Sequence, residues 1–222
     1  MKGIIFDLDG VLINSMPSHF EAWRIAFNEI ANIDVNERTV YLLEGMRGID
    51  LAKNVLELHN ISANEVAPQI TKRKSEIFRT YPTVPKPFTG VQSLLERLTC
   101  RKAVVSGSSK EDVTALLEQL KNIKFEVIVT ADDVNIGKPD PLAFITALRG
   151  MNIYPQNALV VENAPLGIEA ANTAGIQSLA LLNNSPLYKR DFDGKIDSSR
   201  IFANIASIAE VLSEWCQVQH RS

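Results

Sequence analysis

Five short apolar runs limit what this chain can fold into. They are "GIIF" (3–6), "KAVVS" (102–106), "FEVIVT" (125–130), "NALVVE" (157–162) and "QSLALL" (177–182). Each is rich in Val, Ile or Leu without strict alternation, the pattern of a strand covered on both faces. Helical spacing separates them. Val91, Leu94, Leu95 and Leu98 fall at i, i+3, i+4 and i+7, and Val113, Leu116, Leu117 and Leu120 repeat that spacing. In "KPDPLAFITALRG", Asp140 is placed as N-cap, Pro141 at the first helical position and Gly150 as the stop. "NAPLGIEAANTAG" reads as a further short helix ending near Gly175. Strands alternating with helices predict an α/β protein with a doubly wound, mostly parallel sheet.

Residues 15–82 break the alternation, with helical pattern and no good buried strand. Phe20, Trp23, Phe27 and Ile30 make one apolar helix face, with Trp23 and Phe27 expected inside. "ANEVAPQITKRKSEIFRTY" is polar and helical in pattern, and "YPTVPKPFTG" reads as a linker returning to the sheet. The expected organisation is an α/β core of residues 1–14 and 83–222 with a helical cap, residues 15–82, inserted after the first strand.

Composition narrows the partners. A net charge of −3 over 222 residues gives no electrostatic case for nucleic acid or an anionic membrane. No run approaches the ~20 apolar residues of a membrane span, and the N-terminal apolar stretch is too short for a signal peptide. Cys100 and Cys216 have no metal or redox spacing, so reduced thiols in a cytoplasmic protein are expected. His59 and His220 show no partner pattern and receive no role, and nothing demands more than a monomer.

Ligands of open parallel sheets collect at the carboxyl ends of the strands. After the first run come Asp7 and Asp9. The second ends in Ser106 and leads into "GSSK", the third leads to Lys138 in "GKPDP", and the fourth ends in Glu162 and Asn163. This set suits phosphoryl transfer. Carboxylate and amide oxygens suit Mg²⁺, and a carboxylate can act as nucleophile and form an aspartyl-phosphate. A second carboxylate can protonate the leaving oxygen and then activate water. Ser106, the backbone N–H groups of Gly107 and Ser108, and Lys138 can bind phosphate oxygens.

"DLDGVL", "VVSGSS", "GKPDP" and "VVENAPLGIEAA", in that order and each after an expected strand, resemble the four motifs of the haloacid dehalogenase-like hydrolase superfamily. The helical insert resembles the cap of its β-phosphoglucomutase-like branch. The resemblance implies Asp7 as nucleophile and metal ligand, and Asp9 as general acid/base with its carbonyl on the metal. It implies Ser106 as phosphate-binding hydroxyl, Lys138 as charge-balancing lysine, and Glu162 and Asn163 as the acidic pair at Mg²⁺. Most relatives carry Glu-Asp where this chain has Glu162-Asn163, so one negative charge is missing. Glu44, before Gly45 in the cap sequence "YLLEGMRG", is a candidate replacement ligand on cap closure; the alternative is a helix cap or a solvent-facing acid. In β-phosphoglucomutase the residue before that glycine is a lysine, and the branch has an arginine where this chain has Gly48, with Arg47 adjacent. The combination of "NSMPSH", "EGMRG" and "ENAPLG" resembles members that act as inorganic pyrophosphatases.

Other positions stay open. His19 is either a structural histidine at the cap hinge or a contact near Asp9. Lys74 belongs either to a solvated basic face or to the substrate site. The implied activity is a Mg²⁺-dependent phosphohydrolase acting on pyrophosphate or a small phosphomonoester. The alternatives are a sugar-phosphate mutase, against which the lost lysine and displaced arginine argue, and a non-catalytic phosphate-binding homologue, supported only by Asn163.

Overall fold

The apolar runs assemble into one six-stranded, all-parallel sheet of order β3-β2-β1-β4-β5-β6 in the computed structural model, which describes residues 1–217. The strands are β1 (Gly3–Phe6), β2 (Arg101–Val105), β3 (Val127–Val129), β4 (Ala158–Glu162), β5 (Gln177–Leu181) and β6 (Ile201–Phe202). β1 is central, paired with β2 and β4. Ile4 and Phe6 enter one core, with Val104 and Val161; Ile5 enters another on the opposite face, with Val105, Phe144 and Val160. Burial of each such side chain is worth about 1.5–3 kcal/mol, which drives the strand inward and carries Asp7 with it.

Two expectations about strands change. β3 is shorter than its apolar run and forms the sheet edge, where Ile128 is 46% exposed. β6 has only two residues, too few to leave a periodic signal.

Four helices lie between β1 and the next helix: α1 (Met16–Ala31), α2 (Glu37–Leu42), α3 (Gly48–Leu58) and α4 (Ala63–Thr80). α1 and α3 both pack on α4, and Trp23 and Phe27 are buried there. The outgoing and returning chains run side by side, with Asn14 N–H donating to Lys86 O at 2.8 Å and Phe88 N–H to Leu12 O at 3.1 Å.

Beyond them come α5 (Val91–Arg97), α6 (Lys110–Leu117), α7 (Leu142–Met151), α8 (Pro165–Thr173) and α9 (Ala209–Gln217). α7 corrects the expected caps. Pro141 is its N-cap, and Asp140 instead accepts from Leu142 N–H at 2.9 Å. Gly150 lies inside the helix, and Asn152, in the left-handed region at φ 50°, ends it. Gly150 is small because Val127 packs where its Cβ would be.

The free-thiol expectation is also corrected. Cys100 and Cys216 form a disulfide, with Cα atoms 5.0 Å apart. A separation of 116 residues leaves no local motif; α9 brings the two together. The cytoplasmic expectation leaned on reduced thiols and loses that support. Among the described residues no helix is long and apolar enough to cross a membrane. His220 lies outside the described residues.

Candidate active site

The register that aligns Phe6 with Val104 and Val161 also fixes which side chains emerge past the strand ends. Asp7, Ser106 and Glu162 therefore share the carboxyl edge of the sheet. Asp7 N–H donates to Val161 O at 2.9 Å, and Ser106 N–H to Val129 O at 2.9 Å. Asp7, Asp9, Ser106, Lys138, Glu162 and Asn163 are all buried.

They fall into two groups. In the first, Lys138 Nζ bridges Asp7 Oδ1 and Glu162 Oε1, each at 2.5 Å. Burial works against the Lys138 ammonium, but Asp7 and Glu162 outweigh it and hold Lys138 well above the ordinary lysine value. Burial, with Glu162 and Asp9, pushes the Asp7 carboxyl well above the usual carboxylate range, and Lys138 pulls it back only in part. The second Glu162 oxygen accepts from Asn163 N–H at 3.0 Å and Ala164 N–H at 3.3 Å. Both Glu162 oxygens are thus engaged, one of them by Lys138.

Glu44 belongs to the same group. It is buried rather than solvent-facing, and burial pushes its carboxyl up, with Asp7 and Glu162 adding to the effect. Close backbone packing brings it there. Gly45 has φ +89°, and a Cβ on it would stand 2.6 Å from Lys138 Cδ. A Cβ on Gly107 would stand 2.7 Å from Met46 O. Glycine at both positions lets the 44–47 loop lie directly on the loops after β2 and β3.

Three buried side-chain oxygens of this region have no hydrogen-bond partner: Asp7 Oδ2, Glu44 Oε2 and Asn163 Oδ1. Buried acceptors are normally satisfied, and two carboxylate oxygens with an amide oxygen are the hard donor type Mg²⁺ takes. The chemistry of the set therefore fits that ion. Among the described residues, no three His, Cys, Asp or Glu side chains alone are grouped to hold a metal. Lys138 stands between two of the acids, and the third orphan oxygen belongs to an amide.

The second group surrounds Asp9. Its Oδ1 accepts from Ser15 Oγ at 2.5 Å and His19 Nε2 at 2.9 Å; its Oδ2 accepts from Ser106 Oγ at 3.0 Å and Ser108 Oγ at 2.9 Å. Burial alone would raise the Asp9 carboxyl, but His19, Ser15 and Ser108 outweigh it and hold it well below the usual range. Lys74 Nζ lies 2.8 Å from His19 Nδ1. Burial and Lys74 keep His19 below the ordinary histidine value. The neutral ring then donates from Nε2 to Asp9 and accepts from Lys74 at Nδ1. Phe78 stacks on the imidazole at 4.0 Å and fixes its plane.

Lys74 corrects the solvated-face reading. It is only 8% exposed, and burial pulls its ammonium down to about 8. Ser106 and Ser108 are the expected hydroxyls, but here both donate to Asp9. Arg47 lies at the rim and donates from Nη1 to Asn135 O.

Two contacts go beyond the sequence-based expectations. Ser15 bonds Asp9, and Asn183 Nδ2 donates to Gly10 O at 2.7 Å across 173 residues. The "NSMPSH" stretch contains Ser15 but gives it no distinguishing spacing; the Asn183 contact carries no local signal at all.

A cavity of about 230 Å³ opens beside Asp9, between the α1–α4 helices and the loops after β2 and β3. His19, Glu44, Arg47, Lys74, Gly107 and Ser108 line it, so the substrate candidates other than Ser106 and Lys138 meet in one space.

Residues 4–181 match the family model for haloacid dehalogenase-like hydrolases. The chain belongs to that superfamily, in its β-phosphoglucomutase-like branch. It is 28% identical to a phosphorylated carbohydrates phosphatase of Thermotoga maritima over 81% of this chain and 84% of that one. It is 31% identical to the validoxylamine A 7′-phosphate phosphatase of Streptomyces hygroscopicus subsp. limoneus, over 81% of this chain and 85% of that one. A solved structure from Bacteroides vulgatus, provisionally assigned as a β-phosphoglucomutase, superposes with a TM-score of 0.85 at 28% identity, covering 98% of this chain and 91% of that one. The chain is accordingly an enzyme of the phosphatase type.

Proposed function

We propose that this protein is a Mg²⁺-dependent phosphatase that hydrolyses a small phosphomonoester through an aspartyl-phosphate on Asp7. Residues 15–82 act as a cap over a core formed by 1–14 and 83–222. The observation that carries the reading is the split at the end of β1. Asp7 faces Lys138 and the orphan oxygens, while Asp9, two residues on, faces only hydrogen-bond donors.

Asp7 attacks phosphorus, and the bond to the leaving oxygen breaks as that oxygen takes a proton from Asp9. Asp9 then removes a proton from water, which attacks phosphorus and releases Asp7 and phosphate. Lys138 favours the Asp7 anion against burial and its acidic neighbours, and a bound cation would add to that pull for the attack. Asp7, Asn163 and Glu44 would hold Mg²⁺, with the Asp9 carbonyl, and the ion would offset the charge of the phosphoryl group.

An acid must first hold a proton, and four donors keep Asp9 anionic. Ser106 and Ser108 supply two of them. When these hydroxyls turn to the phosphoryl oxygens, Asp9 loses half its donors and its proton affinity climbs. The neighbouring His19–Lys74 pair keeps Oδ1 oriented and supplies a proton path. Closure of the cap excludes water while Asp7 attacks.

Pyrophosphate is a second reading, favoured by Glu44. A cap ligand on the metal draws the cap close and shrinks the space for an organic group. The mutase reading is weaker, because Gly48 replaces the branch arginine and Arg47 is committed to Asn135 O.

The test is steady-state phosphate release with Mg²⁺ from pyrophosphate, β-glucose 1-phosphate, and hexose and triose monophosphates, with Asp7→Asn as the blank. Asp7-dependent release from an organic monophosphate supports the main reading. A preference for pyrophosphate of ~100-fold or more in kcat/KM selects the second. Glucose 6-phosphate formed from β-glucose 1-phosphate with little free phosphate would replace both with a mutase.

A further inference from the structure

Part of the lining of the cavity beside Asp9 is unlike a phosphate site. Asp112, in the first turn of α6, lines it and is 5% exposed. Its Oδ1 accepts from Arg79 Nε at 2.9 Å. Its charge reaches both His19 and Lys74. Asp132 also lines the cavity.

The hydroxyls there also present lone pairs. Thr71 Oγ1 donates to Ala67 O at 2.8 Å, and Ser75 Oγ to Thr71 O at 3.1 Å, so both protons are spent on the backbone of α4. Ser108 spends its proton on Asp9. Ser109 is the exception, since it accepts from Asp112 N–H.

The cations lining the space each already hold one partner. Lys74 donates to His19 and lies over the rings of Phe78 and Trp23, at 4.8 and 5.4 Å. Arg47 is held by Asn135 O. Trp23, Ile49 and Leu51 add an apolar wall.

Such a space is rich in acceptors, acidic and partly apolar. A second phosphate brings only acceptors and negative charge, so it meets repulsion from Asp112 and Asp132 and must compete with His19 and Asn135 O for Lys74 and Arg47. A hydroxylated carbon skeleton brings donors for the carboxylates and lone pairs, and C–H surface for the wall.

We propose that Asp112 is a specificity-determining residue: it makes the cavity take a hydroxyl-bearing leaving group and reject one that carries a second phosphate. The inference rests on the phosphatase reading and selects, within it, monophosphates of polyhydroxylated compounds over bisphosphates and pyrophosphate. Arg79 moderates the rejection, because it partly neutralises Asp112 from outside the cavity.

Fructose 1-phosphate and fructose 1,6-bisphosphate present the same reacting ester with and without the distal phosphate. The wild-type enzyme with Mg²⁺ should favour the monophosphate by about tenfold or more in kcat/KM, well within what one close like charge can impose. Asp112→Asn should narrow that ratio. Arg79→Gln breaks the same ion pair but leaves the carboxylate, and should widen it. Mere loosening of the α4–α6 contact would move both variants the same way. If Asp112→Asn fails to fold, Arg79→Gln alone decides, by widening the ratio or not. Equal use of the two substrates by the wild type overturns the inference. So does an unchanged ratio in Asp112→Asn, or a shared direction in both variants. Absence of Asp7-dependent release from either compound is a different result: it overturns the phosphatase reading, and this inference with it.

Discussion

Asp7 and Asp9 are two residues apart, buried on the same loop, and live in opposite surroundings. Asp7 faces one ammonium and two further carboxylates, Glu162 and Glu44, so its ionisation depends on cations. Asp9 faces three hydroxyls and an imidazole, so its ionisation depends on neutral donors. Charge on Asp7 is favoured by Lys138 and opposed by burial, so it calls for a further cation at the orphan oxygens. Charge held by rotatable hydroxyls can be withdrawn when those hydroxyls find another acceptor, as an acid/base needs. The difference supports the two proposed roles on physical grounds that do not depend on motif position.

The hardest blow to the comparison comes from the nucleophile. Asp7→Asn should lower phosphate release by about 10⁴-fold or more while leaving the fold intact, because the covalent step is lost rather than slowed. Retention of a tenth of the activity would remove Asp7 from the chemistry.

Next is the cation. Lys138→Ala leaves Asp7 and Glu162 buried without their partner and should cost about 3–5 kcal/mol in denaturant unfolding. Added Mg²⁺ should recover part of that loss, because a bound cation replaces the missing charge. A variant as stable as the wild type would deny that Lys138 holds this group together.

The Asp9 side should answer to pH. Lys74 ionises at about 8 in the fold against 10.5 ordinarily, so the unfolded chain binds its proton more tightly. The folded state therefore gains stability as pH rises from about 8 to 10.5, and that gain should vanish in Lys74→Met. kcat/KM should fall as pH passes about 8, where Lys74 loses the charge it sets against His19, and Lys74→Met should lack that limb. An unchanged profile in the variant would detach Lys74 from the site.

The smallest effect is expected at Ser15. Ser15→Ala removes one of four donors from Asp9 and should cost about 1 kcal/mol at neutral pH. Because Asp9 is held below its unfolded value, this contribution exists above about pH 4 and fades as pH falls through the carboxylate range. A cost that persists undiminished into acid would make Ser15 a packing residue only.

Legibility in the sequence divides along a physical line. The apolar runs of β1, β2, β4 and β5 signal burial through local composition, so their ends, and hence the places of Asp7, Ser106 and Glu162, are legible. β6 is too short to carry a pattern. The end of α7 misleads because Gly150 is small for Val127, while Asn152 makes the turn. Glu44, His19 and Lys74 are visible as candidates, but their partners lie across the fold. Lys74 sits among basic residues that imply solvent, yet the imidazole of His19, 55 residues away, fixes it indoors. Asp112 reads as an ordinary helix-start acid, and its partner Arg79 lies 33 residues away on α4.

The central claim is that Asp7 takes the phosphoryl group and Asp9 handles protons, and p-nitrophenyl phosphate tests it directly. Its leaving group departs without a proton, so Asp9→Asn should still form the aspartyl-phosphate but hydrolyse it slowly. Rapid mixing of Asp9→Asn with that substrate and Mg²⁺ should give a burst of p-nitrophenolate close to one per enzyme, then slow turnover, and Asp7→Asn should give no burst. A burst in Asp7→Asn, or none in Asp9→Asn, would contradict the assignment of the two acids.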